Sequence, residues 1–229
     1  MVKCRCSTLV LNVAFWIFLL VQPAAFAASR PVVILDPGHG GVDTGVKGSY
    51  GTLEKDVTLA VALEVRHQLG PLYDVRLTRE SDRAVSLTGR VERANSVAGE
   101  LLLSLHVGGG LSREVNRMAV FVQRGDQRSF VGAGGLTEEG WASGHAPYLQ
   151  ESRDLATDLK RALMGLQGYD GVGVTRVPLM ISRGARMPVA LVELGNLVHP
   201  RQERRMTEAR HIRRLASVLA SAIEGFFAR

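Results

Sequence analysis

The sequence predicts an α/β fold: a single domain in which a mostly parallel sheet is covered by helices on both faces. Three observations carry this expectation. Segments patterned as strands alternate with segments patterned as helices, the order that builds parallel sheets. Several of the strand segments are continuous apolar runs, as strands buried on both faces are. The chain has 229 residues, and the roughly 200 that follow a leader segment suffice for one substantial domain with little left over.

The leader comes first. Lys3 and Arg5 precede an apolar stretch over residues 9–21, and Ala25-Phe26-Ala27 follows. That order is the charged, apolar and small-residue succession of a secretory signal peptide, so residues 1–27 are expected to be removed after Ala27 and residues 28–229 to form the mature domain in the periplasm or outside the cell. The other reading is an uncleaved anchor, for which the apolar run is short of the roughly 20 residues a spanning helix needs; no stable membrane anchor is expected. Both cysteines, Cys4 and Cys6, lie in the leader. The domain therefore has no thiol nucleophile, no thiolate metal ligand and no disulfide, and its stability must come from packing.

In the domain itself, Pro31-Val32-Val33-Ile34-Leu35 is an apolar run that ends at Asp36-Pro37-Gly38, a buried strand feeding a tight loop. Glycine-rich loop follows as far as Gly51. Over residues 56–69 the apolar positions Val57, Ala60, Val61, Val65 and Leu69 recur at helical spacing, and Gly70-Pro71 stops the run. Residues 73–78 alternate like a strand, residues 86–98 read as an amphipathic helix and residues 101–105 as a fully buried strand. Residues 118–123 predict a further strand. Residues 124–148 have no period and are expected to be a surface loop or lid. Residues 155–166 are patterned as a helix, 171–177 and 188–194 as strands, and 208–227 as a closing helix.

The formal charge of +6 falls to +4 beyond residue 27, where 26 basic side chains face 22 acidic ones. The densest basic cluster, residues 201–214, is interrupted by Glu203 and Glu208 and reads as a solvated helix face. Without interleaved aromatic and basic residues the chain has no nucleic-acid platform, and no nucleic-acid partner is expected. A monomer is expected.

In an open α/β sheet, sites gather where strands deliver their carboxyl ends into loops. His39 follows the first strand, His106 ends the strand of residues 101–105, and Glu193 lies near the end of the strand of residues 188–194. Glu54 opens the first helix. Two imidazoles and a carboxylate converging on one edge would match the three-ligand pattern of a catalytic zinc, which keeps one position open for water, and Glu193 would remain free as a base. Each residue also has an ordinary reading. A lone histidine after a strand is more often a hydrogen-bonded loop residue, and a glutamate at a helix start is well placed against the helix dipole. Glu193 is harder to dismiss, because it interrupts the apolar run Pro188-Val189-Ala190-Leu191-Val192 and a carboxylate there needs a cation or a polar cleft beside it. Asp36 is read as a turn cap or as a group orienting a metal ligand. His67, His145, His199 and His211 are read as surface or loop histidines.

The motifs resemble those of a known family. Leu35-Asp36-Pro37-Gly38-His39-Gly40-Gly41 with Asp43 and Gly45, then Leu53-Glu54-Lys55, Thr78-Arg79-Glu80-Ser81-Asp82, Leu87 with Arg90, Ala94-Asn95, Ser104-Leu105-His106 and Met187-Pro188-Val189-Ala190-Leu191-Val192-Glu193-Leu194-Gly195 resemble, in order, the zinc-dependent N-acetylmuramoyl-L-alanine amidases, amidase type 3. The resemblance spans residues 32–227. It implies a single domain with a twisted central sheet, a Zn2+ ion held by His39, Glu54 and His106, and Glu193 as the catalytic glutamate. It also implies residues 28–229 as the catalytic domain, peptidoglycan as substrate, cut at the amide between N-acetylmuramic acid and L-alanine, and an activator protein as a partner, with Glu138 or Glu139 of the expected lid as candidates for plugging the metal; Arg183 sits where the family has an arginine. Two stretches depart from the pattern. Val107-Gly108-Gly109-Gly110 lacks the family's asparagine, and Asn196-Leu197-Val198-His199-Pro200 keeps only the proline of the usual turn. These departures leave open a wall-binding protein of the same fold with weak or no turnover; a related stem-peptide metallopeptidase is the other alternative.

Overall fold

In the computed structural model, which describes residues 29–108, 114–125 and 143–229, six strands form one sheet in the order β2-β1-β3-β6-β4-β5. They are β1 (Val32–Pro37), β2 (Asp74–Leu77), β3 (Leu101–Gly108), β4 (Met118–Gln123), β5 (Val172–Val177) and β6 (Val189–Asn196). β1, β2, β3 and β6 run parallel. β4 pairs antiparallel to β6 and parallel to β5, so one edge of the sheet is reversed. The helices are α1 (Glu54–Leu69), α2 (Leu87–Ser96), α3 (Leu149–Leu163), α4 (Pro200–Met206) and α5 (Ala209–Phe227), with 3-10 turns at Ser143–Tyr148 and Met180–Ser182. The leader and most of the expected lid, including Glu138 and Glu139, lie outside the described residues.

Because successive strand residues point to opposite faces, each inner strand feeds two cores. Leu101, Leu103, Leu105 and Val107 of β3, with Ala190, Val192 and Leu194 of β6, pack under the apolar stripes of α1, α3 and α5. Ile34, Leu102 and Val189 point the other way, into a smaller cluster closed by Val91 and Ala94 of α2 and by Leu179, Ile181, Ala185 and Met187. Asp36, Ser104, His106, Leu191 and Glu193 share the parity of this second face. The smaller cover leaves the carboxyl end of that face open, and the cleft forms there.

The sequence's histidines sort differently from expectation. His67 is exposed as expected, but His145 is fully buried, its Nε2 3.3 Å from Ser152 Oγ. His199 caps α4 by accepting from the N–H groups of Arg201 and Gln202, and His211 is half-buried with its Nε2 3.0 Å from Tyr169 Oη. The departure at Asn196–His199 therefore still builds a turn: Asn196 Oδ1 accepts from Val198 N–H, and His199 supplies the cap that a small polar residue gives elsewhere. The basic cluster at 201–214 breaks into two helices at Thr207-Glu208.

A candidate metal and catalytic site at the sheet's carboxyl edge

His39 stands just past β1 in the left-handed backbone region, with φ 62°, and Gly40 and Gly41 follow at φ 128° and 64°. A side chain on either glycine would be strained, and His39 itself holds its angle only because its surroundings enforce it. Two buried arginines do so. Arg79 donates from Nε to the Pro37 carbonyl (3.0 Å) and from Nη2 to the Gly38 carbonyl (2.8 Å); Arg90 donates to the carbonyls of Pro37 and His39, both at 2.7 Å. Lys55 Nζ donates to the Gly41 carbonyl while Asp82 accepts from Gly41 N–H and from Lys55. Lys55, Arg79, Asp82 and Arg90 thus fix the loop that presents His39. Gly38 has an ordinary φ; its lack of a side chain matters because a Cβ would overlap the His106 ring.

The loop closes on Glu54, the first residue of α1. Its Oε2 lies 3.0 Å from His39 Nε2, and its Oε1 lies 2.9 Å from His106 Nδ1. The carboxylate also accepts from Val46 N–H at 2.9 Å and Val107 N–H at 3.0 Å. Burial would raise the Glu54 pKa, but the hydrogen bonds from His106, His39 and these two amides outweigh it and hold the carboxyl far below the usual range. The hydrogen bond to Glu54 raises the pKa of His39 against its partial burial. The other nitrogen of His39, Nδ1, lies 2.9 Å from both oxygens of Asp43. Asp43 is the orienting carboxylate, a role the sequence reading did not give it. Asp36 hydrogen-bonds neither a turn N–H nor an imidazole among the described residues: its oxygens accept from Thr78 Oγ1 (2.6 Å), Arg90 Nη1 (2.7 Å) and Ser104 Oγ (2.7 Å), tying β1 to the residue after β2, to α2 and to β3.

His106 and Glu193 are register partners on the neighbouring strands β3 and β6. Glu193 Oε2 is buried without a hydrogen-bond partner among the described residues. Burial pushes its carboxyl up to about 7, with His106 opposing. A Cβ on Gly108 would come within 2.8 Å of that oxygen, so the departure from the family pattern after His106 gives room to the Glu193 carboxylate. The open side of the site is a cleft of about 330 Å³ whose walls include Val85, Leu87, Met180 and Ile181. Arg183, at the end of the turn Met180–Ser182, is not among its walls.

One nitrogen from each of His39 and His106 and one oxygen of Glu54 lie within 4.8 Å of one another, the cluster among the described residues that could hold a metal ion. Two imidazoles and a carboxylate suit zinc, and the buried oxygen of Glu193, unpaired among the described residues and on the register partner of His106, suits a neighbouring cation. All four residues singled out in the sequence are therefore brought together.

The family model for N-acetylmuramoyl-L-alanine amidase matches residues 33–225. The chain belongs to this family. Among family relatives, the N-acetylmuramoyl-L-alanine amidase AmiA of Escherichia coli strain K12 is 27% identical over 237 residues, spanning 88% of this chain and 78% of its own length. The solved structure of the amidase AmiC2 of Nostoc punctiforme aligns with a TM-score of 0.73 at 25% identity, over 88% of this chain and 99% of that one. The CwlD amidase of Clostridioides difficile, solved in complex with the GerS lipoprotein, shares the amidase fold with a TM-score of 0.70 at 19% identity, over 87% of this chain and 99% of its own.

Proposed function

We propose that this protein hydrolyses the amide between N-acetylmuramic acid and the first L-alanine of the peptidoglycan stem, with Zn2+ held by His39, Glu54 and His106 and with Glu193 as general base. The observation that carries the reading is the convergence of the three donor groups within 4.8 Å beside the unpaired oxygen of Glu193. Family membership supplies the reaction class and the wall substrate.

An amide resists hydrolysis because its carbonyl is a poor electrophile, water a poor nucleophile and the amine a poor leaving group. Zinc in such a site supplies Lewis acidity toward the carbonyl and toward water, whose pKa falls to about 7. The protein's own groups do the rest. Asp43 fixes the ring of His39, and the Arg79 and Arg90 contacts fix its backbone. Glu193, with a pKa near that of its task, takes the proton of the attacking water and returns it to the alanine nitrogen. No covalent intermediate with the protein is required. Arg183 is left out of this reading.

The reading includes export through the leader, and residence in the periplasm or outside the cell. Among the described residues no helix is long and apolar enough to cross a membrane. A protein partner acting as activator belongs to the same proposal; the GerS complex of a relative supports it by analogy. The test is product analysis of purified peptidoglycan treated with residues 28–229 loaded with zinc. Stem peptides bearing a free N-terminal L-alanine are expected. New ends inside the stem would overturn the proposal in favour of a stem peptidase.

A further inference from the structure

Two adjacent polar side chains of α4, Gln202 and Glu203, are each only 1% exposed, although both lie in the segment that reads as a solvated basic face. Each reaches a different part of the site. Gln202 Oε1 accepts from the N–H of Asn196, at the end of the strand that carries Glu193 (2.7 Å), and Gln202 Nε2 donates to Asn116 Oδ1. Glu203 turns to the loop before Glu54: it accepts from Tyr50 N–H with both oxygens at 2.9 Å and from Thr52 N–H at 3.1 Å. Both contacts require a bare backbone opposite. A Cβ on Gly195 would overlap Gln202 Oε1, and a Cβ on Gly48 would overlap Glu203 Oε1.

The loop that Glu203 grips leads directly to the metal ligand. Gly48 N–H donates to Thr52 O at 2.8 Å, Lys47 bridges Leu53, Glu54 N–H donates to Val46 O at 2.9 Å, and Val46 N–H donates back to the Glu54 carboxylate at 2.9 Å. Stability alone does not call for a carboxylate here. Tyr50 is exposed, so water could satisfy these amides, and burying an acid that has no ion-pair partner among the described residues carries a desolvation cost. Geometry is what the carboxylate adds. We infer that α4 is a brace for the metal site, and that Glu203 is a positioning residue that sets zinc affinity by fixing the loop from Lys47 to Leu53 and through it Glu54. The inference rests on the zinc reading above.

The test is zinc affinity of the metal-free protein, measured by competition with a chelator. Glu203→Ala is expected to weaken zinc binding on the order of 10–100-fold, the range for loss of a group that supports a ligand. Glu203→Gln keeps the oxygen that serves Tyr50 and Thr52 and is expected to bind near the wild-type value. Gly48→Ala, which displaces the carboxylate from the other side, is expected to weaken binding as well, and adding it to Glu203→Ala should cost no more than Glu203→Ala alone. Leu219→Ala, a core cut in α5, serves as the stability control: it should lower the melting temperature and leave affinity in place. Wild-type affinity in both Glu203→Ala and Gly48→Ala, or affinity that falls in Leu219→Ala as it does in Glu203→Ala, would overturn the inference and leave the zinc reading standing. A wild-type protein that takes up no zinc would overturn both.

Discussion

Glu193 is visible in the sequence because it breaks an apolar run and so calls for a cation or a polar cleft beside it; in the structure it stands beside His106 and not among the cleft's walls, with one oxygen buried and unpaired among the described residues and the carboxyl raised to about 7 by burial. Glu193→Gln keeps the shape and removes the base. It is expected to retain zinc affinity and to lose turnover by about 10²–10⁴-fold, read as kcat on peptidoglycan beside a chelator titration; loss of zinc together with kcat would make Glu193 a ligand instead. Asp43→Ala is expected to weaken zinc binding by roughly 10-fold or more, since His39 loses the partner that fixes its ring. The Asp43 contact was not legible beforehand. Its four-residue spacing from His39 spans a loop, and only the backbone angle of 62° at His39 turns the ring toward it. Asp36 misled for a related reason: a carboxylate before Pro-Gly looks like a turn cap, whereas Thr78 just past β2, Arg90 of α2 and Ser104 of β3 claim it in the core.

At the level of elements, the loops rather than the strands carry the information that brings the site together. Gly38→Ala leaves the backbone angle feasible and collides with the His106 ring, so we expect a folded protein with far weaker zinc binding; unchanged affinity would mean that the loop can move aside. The strands themselves were legible to within a residue or two at most ends, because apolar runs bounded by glycine and proline leave few choices. The helices were less so. α3 begins at Leu149, six residues before its apolar stripe, since its first turns are polar and the buried Ser152 belongs to a network with His145, Tyr148 and Val189. α4 was merged with its successor, because Gln202 and Glu203 are buried for what they bind, which polarity patterns cannot express.

Across the whole molecule, fold class and the meeting of four distant residues were readable, and strand direction at one edge was not. An apolar run carries no sign of its direction, so the reversal of β4 and β5 relative to β6 had no signal in the sequence. Burial of His145 sets a global pH dependence. Desolvation lowers its pKa from 6.5 to about 4, against the opposing pull of the Met187 and Ala185 backbone, toward which the ring can donate. The unfolded chain takes up a proton below 6.5 that the folded one refuses, so this contribution to stability is intact above 6.5 and is lost as pH falls toward 4. Its full size is about 3 kcal/mol. Denaturant unfolding at neutral and acid pH is expected to show a smaller pH-dependent loss in His145→Gln than in the wild type; equal losses would place the acid sensitivity elsewhere.

The central claim is that one ion draws together the ends of β1, α1 and β3 next to β6. Crystals of the zinc-loaded protein measured across the zinc absorption edge test it directly. A single anomalous peak is expected, bonded to His39, Glu54 and His106 at zinc–ligand distances of about 2.0–2.2 Å, on the same side of the sheet as Glu193. A peak on other residues, or none between these three, would contradict it.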